Sequence, residues 1–508
     1  YQAYDYATRL VREQLDDDPP HAPVWTTAIG SATPDQAYAV AVAAYAHSRL
    51  DDAAAAFRRA RESSSTDLAA SAGANVGVVL GELGRMQEAV AAFQQVIDDY
   101  SDDPSAAVRE VVARALYNRG VALERLGRPQ EALDAYQQLI DNYREDPALR
   151  EHVATTLNNR AVALGRLDRL QEALDTYQQV IDHYRDDPTL GEHVATALNN
   201  RGVILGRLGR LQEALDTYQQ VIDDYRNDPT LGEQVAKALN NRGVTLAQLG
   251  RPQEALAAYQ QIIDDYRNDP SPALREQVAK ALNSRGVRLG QLDRPQEALA
   301  AYQQLIGDYR DDAIPALRKQ VAGALYNRGV ILGQLGRPQE ALDAYQQLIA
   351  DYRSDVSPAL RKQVATALNN RAVALGQLDR LQEALDAYQQ VIDDYRDDPS
   401  PVLRRQVAWA LYNRAVTLRE LHRPQQALAA YQQIITDYRN DPSLREQVSI
   451  ALNNRGVILG ELHRPQEALD AYQQVIDDYR DDPSPALREQ VELATAARYR
   501  LWGTGAPH

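Results

Sequence analysis

The 508 residues contain no cysteine, one methionine, two phenylalanines and only four lysines: Lys237, Lys280, Lys319 and Lys362. Without cysteine there is no disulfide framework, no thiolate zinc site and no thiol nucleophile. No apolar run approaches the roughly 18 residues that a membrane-spanning helix needs, so no membrane partner is expected. Phosphate loops, nucleophile elbows and dinucleotide fingerprints are missing. The Asp-Asp pairs lack the glycine and distant glutamate of a calcium loop. None of the eight histidines has a second ligand at metal spacing. The chain is therefore read as non-enzymatic, with no cofactor and no metal. A net charge of −16 argues against nucleic acid, where neutralising phosphates dominates affinity. It begins at Tyr1 and reads as a fragment or processed product, with a cytoplasmic location expected.

Repetition takes the place of these features. A small residue after Asn-Arg or Ser-Arg recurs at Gly120, Ala161, Gly202, Gly243, Gly286, Gly329, Ala372, Ala415 and Gly456, in steps of 41 or 43 residues. The two-residue difference falls where "DPTLGEQV" (Asp228 to Val235) replaces "DPSPALREQV" (Asp269 to Val278); it is read as a change of loop length that leaves the helices alone. Around Gly243, Val235, Leu239, Gly243 and Leu246 follow helical spacing and make one apolar stripe. Gly250 closes that helix and Pro252 opens a second at its first turn. Ala255, Tyr259, Ile262, Ile263 and Tyr266 form the second stripe. The spacing thus predicts pairs of antiparallel helices, an all-α chain in which each unit packs on its neighbours.

These residues resemble the tetratricopeptide repeat (TPR) family: small Gly243, turn glycine Gly250, Ala255, aromatic Tyr259 and Pro270 fall in its order. The period exceeds the usual 34 residues, and Arg242 and Leu246 depart from the family pattern. "LNN" before the small residue is more similar to the long-repeat branch typified by kinesin light chains. The resemblance implies a right-handed superhelical solenoid whose first helices line a concave groove. Residues 1–34 read as an N-terminal helix (Tyr1 to Leu15) and linker, 35–71 as a degenerate first repeat, 72–490 as the array, and 491–508 as a C-terminal capping helix and tail.

On a wheel at about 100° per residue, Lys237, Asn241, Val244 and Gln248 lie together, away from the buried stripe. By resemblance this is the groove stripe, and the second asparagine clamps a ligand backbone: Asn118, Asn159, Asn200, Asn241, Asn327, Asn370, Asn413 and Asn454. An amide supplies the donor and acceptor that an extended peptide requires. The first asparagine either lines the groove edge or packs on the neighbouring unit. The following arginine, Arg242 in this copy, is read as structural, paired with carboxylates or with glutamines such as Gln260 and Gln261, because buried charge needs a partner.

At the Gln248 position the copies read Arg125, Arg166, Arg207, Gln248, Gln291, Gln334, Gln377, Glu420 and Glu461, passing from basic to acidic. Arg114 and Lys237 add cations to the first half, while Trp409 and Tyr412 add apolar surface to the second. The expected partner is a protein or peptide with an extended, partly acidic segment, seated near Arg125, Arg166 and Arg207. The acid concentrated in motifs such as "IDDYRDDP" (Ile392 to Pro399) reads as a solvated edge or as a docking strip for a basic partner. Two functions stay open: a scaffold that is the recognition or sensor arm of a larger protein, and a structural repeat protein that forms a homo-oligomer through its ends or edges.

Overall fold

The computed structural model describes residues 22–504, and over them it is all-helical, with 24 helices packed in sequential pairs. It divides into two compact units, residues 1–251 and 252–508. The first unit holds α1 (Ala22–Ser31), α2 (Pro34–Ala46), α3 (Leu50–Ala60), α4 (Thr66–Glu82), α5 (Met86–Tyr100), α6 (Ala106–Arg125), α7 (Pro129–Tyr143), α8 (Arg150–Arg166), α9 (Leu170–Tyr184), α10 (Gly191–Arg207), α11 (Leu211–Tyr225) and α12 (Gly232–Gln248). The second holds α13 (Pro252–Tyr266), α14 (Pro272–Gln291), α15 (Pro295–Tyr309), α16 (Pro315–Gln334), α17 (Pro338–Tyr352), α18 (Pro358–Gln377), α19 (Leu381–Tyr395), α20 (Pro401–Glu420), α21 (Pro424–Tyr438), α22 (Arg445–Glu461), α23 (Pro465–Tyr479) and α24 (Pro485–Thr504). Even numbers are the first helices of the copies, and odd numbers from α3 are the second.

In five copies, those of Gly120, Gly202, Gly286, Gly329 and Gly456, the pair closes on a tyrosine laid against a bare Cα. A Cβ at Gly202 of α10 would sit 2.4 Å from Cε1 of Tyr218 in α11, and one at Gly329 of α16 would sit 2.5 Å from Cε1 of Tyr345 in α17. No Cβ fits there, so the small residue is what lets the helices meet. In the turns Gly209, Gly250 and Gly336 take positive φ, and so do Asp168, Asp293, Asp379, His422 and His463. The turn thus needs the left-handed conformation more than it needs glycine.

The two repeat lengths do alter the helices. In the 43-residue copies the proline becomes the first residue of a 20-residue helix, as in α14, α16, α18 and α20. In the 41-residue copies a short 3-10 turn such as Pro188–Leu190 precedes a 17-residue helix. An aspartate organises both loops: Asp187 Oδ1 accepts from the Thr189 amide at 3.0 Å, and Asp269 Oδ1 from the Ser271 amide at 2.8 Å.

The acidic edge is partly spoken for. Within "IDDYRDDP", Asp394 pairs at 3.1 Å with Arg353 of the preceding copy, and Asp398 pairs at 2.5 Å with Arg361 of the first helix of its own copy. The same two bridges recur elsewhere, Arg310–Asp351 between copies and Arg318–Asp355 within one.

At the start of the chain, residues expected as linker form α1. Its Trp25 is buried with its ring 6.0 Å from His47, and Arg59 Nε donates to the Ala32 carbonyl at 2.6 Å. Burial of one large side chain overrides a proline-rich local signal. The expected helix over Tyr1 to Leu15 and the last four residues of the tail lie outside the described residues.

Candidate functional site

The first asparagine of each pair ties one copy to the next. Asn158 Nδ2 donates to the His193 carbonyl at 3.1 Å, Asn199 to that of Gln234 at 3.0 Å, Asn369 to that of Gln406 at 3.1 Å and Asn453 to that of Gln490 at 3.0 Å. Asn158, Asn199 and Asn369 are buried. Removing such a donor leaves a buried carbonyl short of a partner, so Asn369→Ala is expected to lower stability by about 1–3 kcal/mol. A denaturant titration indistinguishable from wild type would show that the tie carries no load.

The arginine that follows inserts between helices. Arg119 donates to Gln94 and Gln138, Arg160 to Thr176 Oγ1 at 2.8 Å and Arg201 to Thr217 Oγ1 at 3.0 Å. Desolvation pulls the pKa of all three below the usual guanidinium range.

The second asparagine is half-buried in all eight copies, and several of these amides already have partners. Asn159 Nδ2 donates to Tyr117 Oη at 2.6 Å, Asn327 to Asn283 Oδ1 at 3.2 Å and Asn370 to Tyr326 Oη at 3.4 Å. Asn413 and Asn454 bond back to the carbonyls of Trp409 and Ile450 in their own helices. In the first unit Asn118 and Arg125 share a cleft of about 230 Å³ with Gly77 and Phe93. Asn159, Arg125 and Arg166 share another of about 440 Å³ with Tyr117, Glu124 and Tyr136. Beside the asparagines runs a row of valines that stay exposed, among them Val203, Val244, Val287, Val373 and Val457, with Val244 the most open at 46%.

The charge gradient is smaller in space than in sequence. Arg166 pairs with Glu124 at 2.5 Å, and Arg207 with Asp168 at 3.1 Å and with the Gly165 carbonyl at 2.7 Å. Lys237 pairs with Glu233 at 2.6 Å and Glu461 with Arg419 at 2.5 Å. Arg125, Gln248 and Glu420 are exposed and Arg114 half-exposed. Trp409 is 39% exposed, while the Tyr412 ring packs 5.9 Å from that of Tyr431.

Sequence reasoning passed over Glu124 and Arg419. Both occupy a position where Gly165, Gly206, Ala247, Gly290, Gly333, Gly376 and Gly460 stand in the other copies. Each reaches across to the next copy, and the signs are swapped: Glu124 to Arg166, Arg419 to Glu461. Tyr136 Oη also donates to Glu124 at 2.9 Å, and burial with that carboxylate drives the phenol pKa upward. A departure from the small residue was the available signal.

Among the described residues no group of three or more His, Asp or Glu side chains is placed to hold a metal ion. No helix among them is long and apolar enough to cross a membrane.

Family models described as tetratricopeptide repeat match residues 67–145, 111–186, 152–227, 193–268, 234–311, 320–397 and 405–481, and a second such model matches 283–356. The chain belongs to the tetratricopeptide repeat family. No curated protein matches it. Among solved structures, a TPR protein from Parabacteroides merdae ATCC 43184 is 17% identical, covers 59% of this chain and 99% of its own, and has a TM-score of 0.34. The apo form of the quorum sensor NprR from B. thuringiensis is 14% identical, covers 72% and 97%, and has a TM-score of 0.41. In TPR terms the asparagine and valine rows lie on the first helices, the arginine between helices, and the aspartates in the loops between repeats.

Proposed function

We propose that this TPR chain is a non-catalytic binding scaffold, the recognition arm of a larger protein, which takes an extended segment of a protein partner along its first helices. TPR repeats generally mediate protein binding. The observation that carries the reading is the valine row. A valine is exposed at this position in five copies and half-buried in the other four, Val121, Val162, Val330 and Val416, beside half-buried amides. The 41- and 43-residue period and the "LNN" motif further support a place in the long-repeat, kinesin-light-chain-like branch.

Alanine at Asn118, Asn200 and Asn241 together is expected to weaken capture of the partner from source extract at least tenfold. Because the three amides are half-buried and Asn200 bonds the Tyr177 phenol, each should cost at most about 1 kcal/mol of stability, less than a fully buried donor. Unfolding of the variant, or undiminished capture, would remove the amides from the binding role. The rival reading, self-assembly through ends or edges, is separated from this one by the state of the free chain. Light scattering of the free chain should give one mass at all concentrations.

A further inference from the structure

Lys319, Lys362 and Arg405 are each the fifth residue of a first helix, α16, α18 and α20. All three are exposed. The preceding arginines Arg318, Arg361 and Arg404 are bound by Asp355, Asp398 and Asp441 in the loops that follow the second helices of their own copies. For the three outer cations there is no ion pair among the described residues, although Arg405 adds to the field that Arg404 exerts on Asp441. Nor can their own helices supply one, because the residues four before and four after are proline, glycine, threonine or tryptophan. Lys237 and Lys280 differ in this respect, being held by Glu233 and Glu276 one turn away.

Helix stability does not explain the row. Positive charge near a helix N-terminus opposes the macrodipole, and the corresponding position in the first unit holds glutamates, Glu110, Glu151 and Glu192. The second unit reverses that sign in three successive copies. Each cation lies on the same helical stripe as the asparagine and valine of its copy, at i, i+8 and i+11, so the cation row runs beside the other two.

The spacing of the row selects a ligand conformation. Successive first helices pack side by side, with about 8–10 Å between axes. A β-strand presents same-side residues every about 6.6 Å, which falls out of step within two copies. A polyproline II segment advances about 9.3 Å per three-residue turn and returns every third side chain to one face. We propose that the second unit binds a polyproline II segment carrying a carboxylate at every third position, one on each of Lys319, Lys362 and Arg405.

This rests on the binding-scaffold reading and moves the acidic contact away from Arg166 and Arg207, whose charges are already met internally. The probes are synthetic peptides titrated into the full chain: four Glu-Pro-Pro triplets, the same composition with its glutamates in one block, and four Lys-Pro-Pro triplets. The Glu-Pro-Pro peptide should bind at least fivefold more tightly than the block peptide and weaken steeply with salt. The triple variant K319E/K362E/R405E should lose that peptide at least tenfold and gain the Lys-Pro-Pro peptide, with a melt no lower than that of the unsubstituted chain. Equal binding of the triplet and block peptides, or indifference to the triple variant, overturns the proposal. If the natural partner is lost on substituting Asn118, Asn200 and Asn241 but not on K319E/K362E/R405E, the scaffold reading stands and this inference falls. If the triple variant instead abolishes association between copies of the chain, the row serves self-pairing and the inference falls likewise.

Discussion

Gly202→Leu should destabilise the chain by about 1–3 kcal/mol through overpacking. Tyr218→Ala should cost about 3–5 kcal/mol by leaving a hole, and the double variant should lose clearly less than the sum. The reason is geometric: a Cβ at Gly202 would stand 2.4 Å from Cε1 and 2.6 Å from Cζ of Tyr218, a ring that is almost fully buried. A leucine added to the intact pair has nowhere to go, whereas one added after the ring is gone occupies the vacated space. Residues in contact couple in this way, while distant ones add. Chemical denaturation of the four proteins measures the coupling, and strict additivity would mean that the two residues do not share that volume.

Raising the pH should unfold the chain cooperatively. Burial pushes Tyr345 up to about 12, and it raises Tyr177, Tyr218, Tyr302, Tyr388 and Tyr431 further still. In an unfolded chain a phenol titrates near about pH 10. A raised folded pKa means that the fold favours the neutral form. The stabilisation is therefore complete below about pH 10 and is lost as pH climbs through 12 and beyond. Because the buried tyrosines recur from copy to copy, their losses accumulate. Tyrosinate absorbance and helical circular dichroism should change together across that window. Ionisation of all the tyrosines near pH 10 with the helices intact would show that the rings are open to solvent.

How much of this was readable in advance depends on how local each determinant is. Helix pairs were legible because residues such as Gly202, Gly209 and Tyr218 act within their own copy, through a close approach, a turn and one ring contact. The first asparagine was not, because its partner carbonyl lies 35 or 37 residues further on, and a wheel places it only on a flank. The groove charges were misjudged for the same reason. Arg166 looks free in sequence until Glu124, 42 residues earlier, is brought beside it. The loop was misread because a proline after the aspartate opens either a 20-residue helix, as at Pro272, or a 3-10 turn, as at Pro188, and its fixed φ suits both. Helix α1 depended on where Trp25 is buried, which no local pattern reports.

The asparagine tie spans 35 residues where the short loop follows and 37 where the long loop follows, and in both cases it ends on the backbone of the next first helix. A carbonyl is the same in every copy, whatever side chain it carries, so His193 receives the tie as readily as Gln234. The tie therefore needs no change when the side chain it meets changes, whereas the seams joined by Glu124–Arg166 and Arg419–Glu461 need both members. Exchanging one whole copy for another would keep the first kind of joint and leave an unmatched charge at the second.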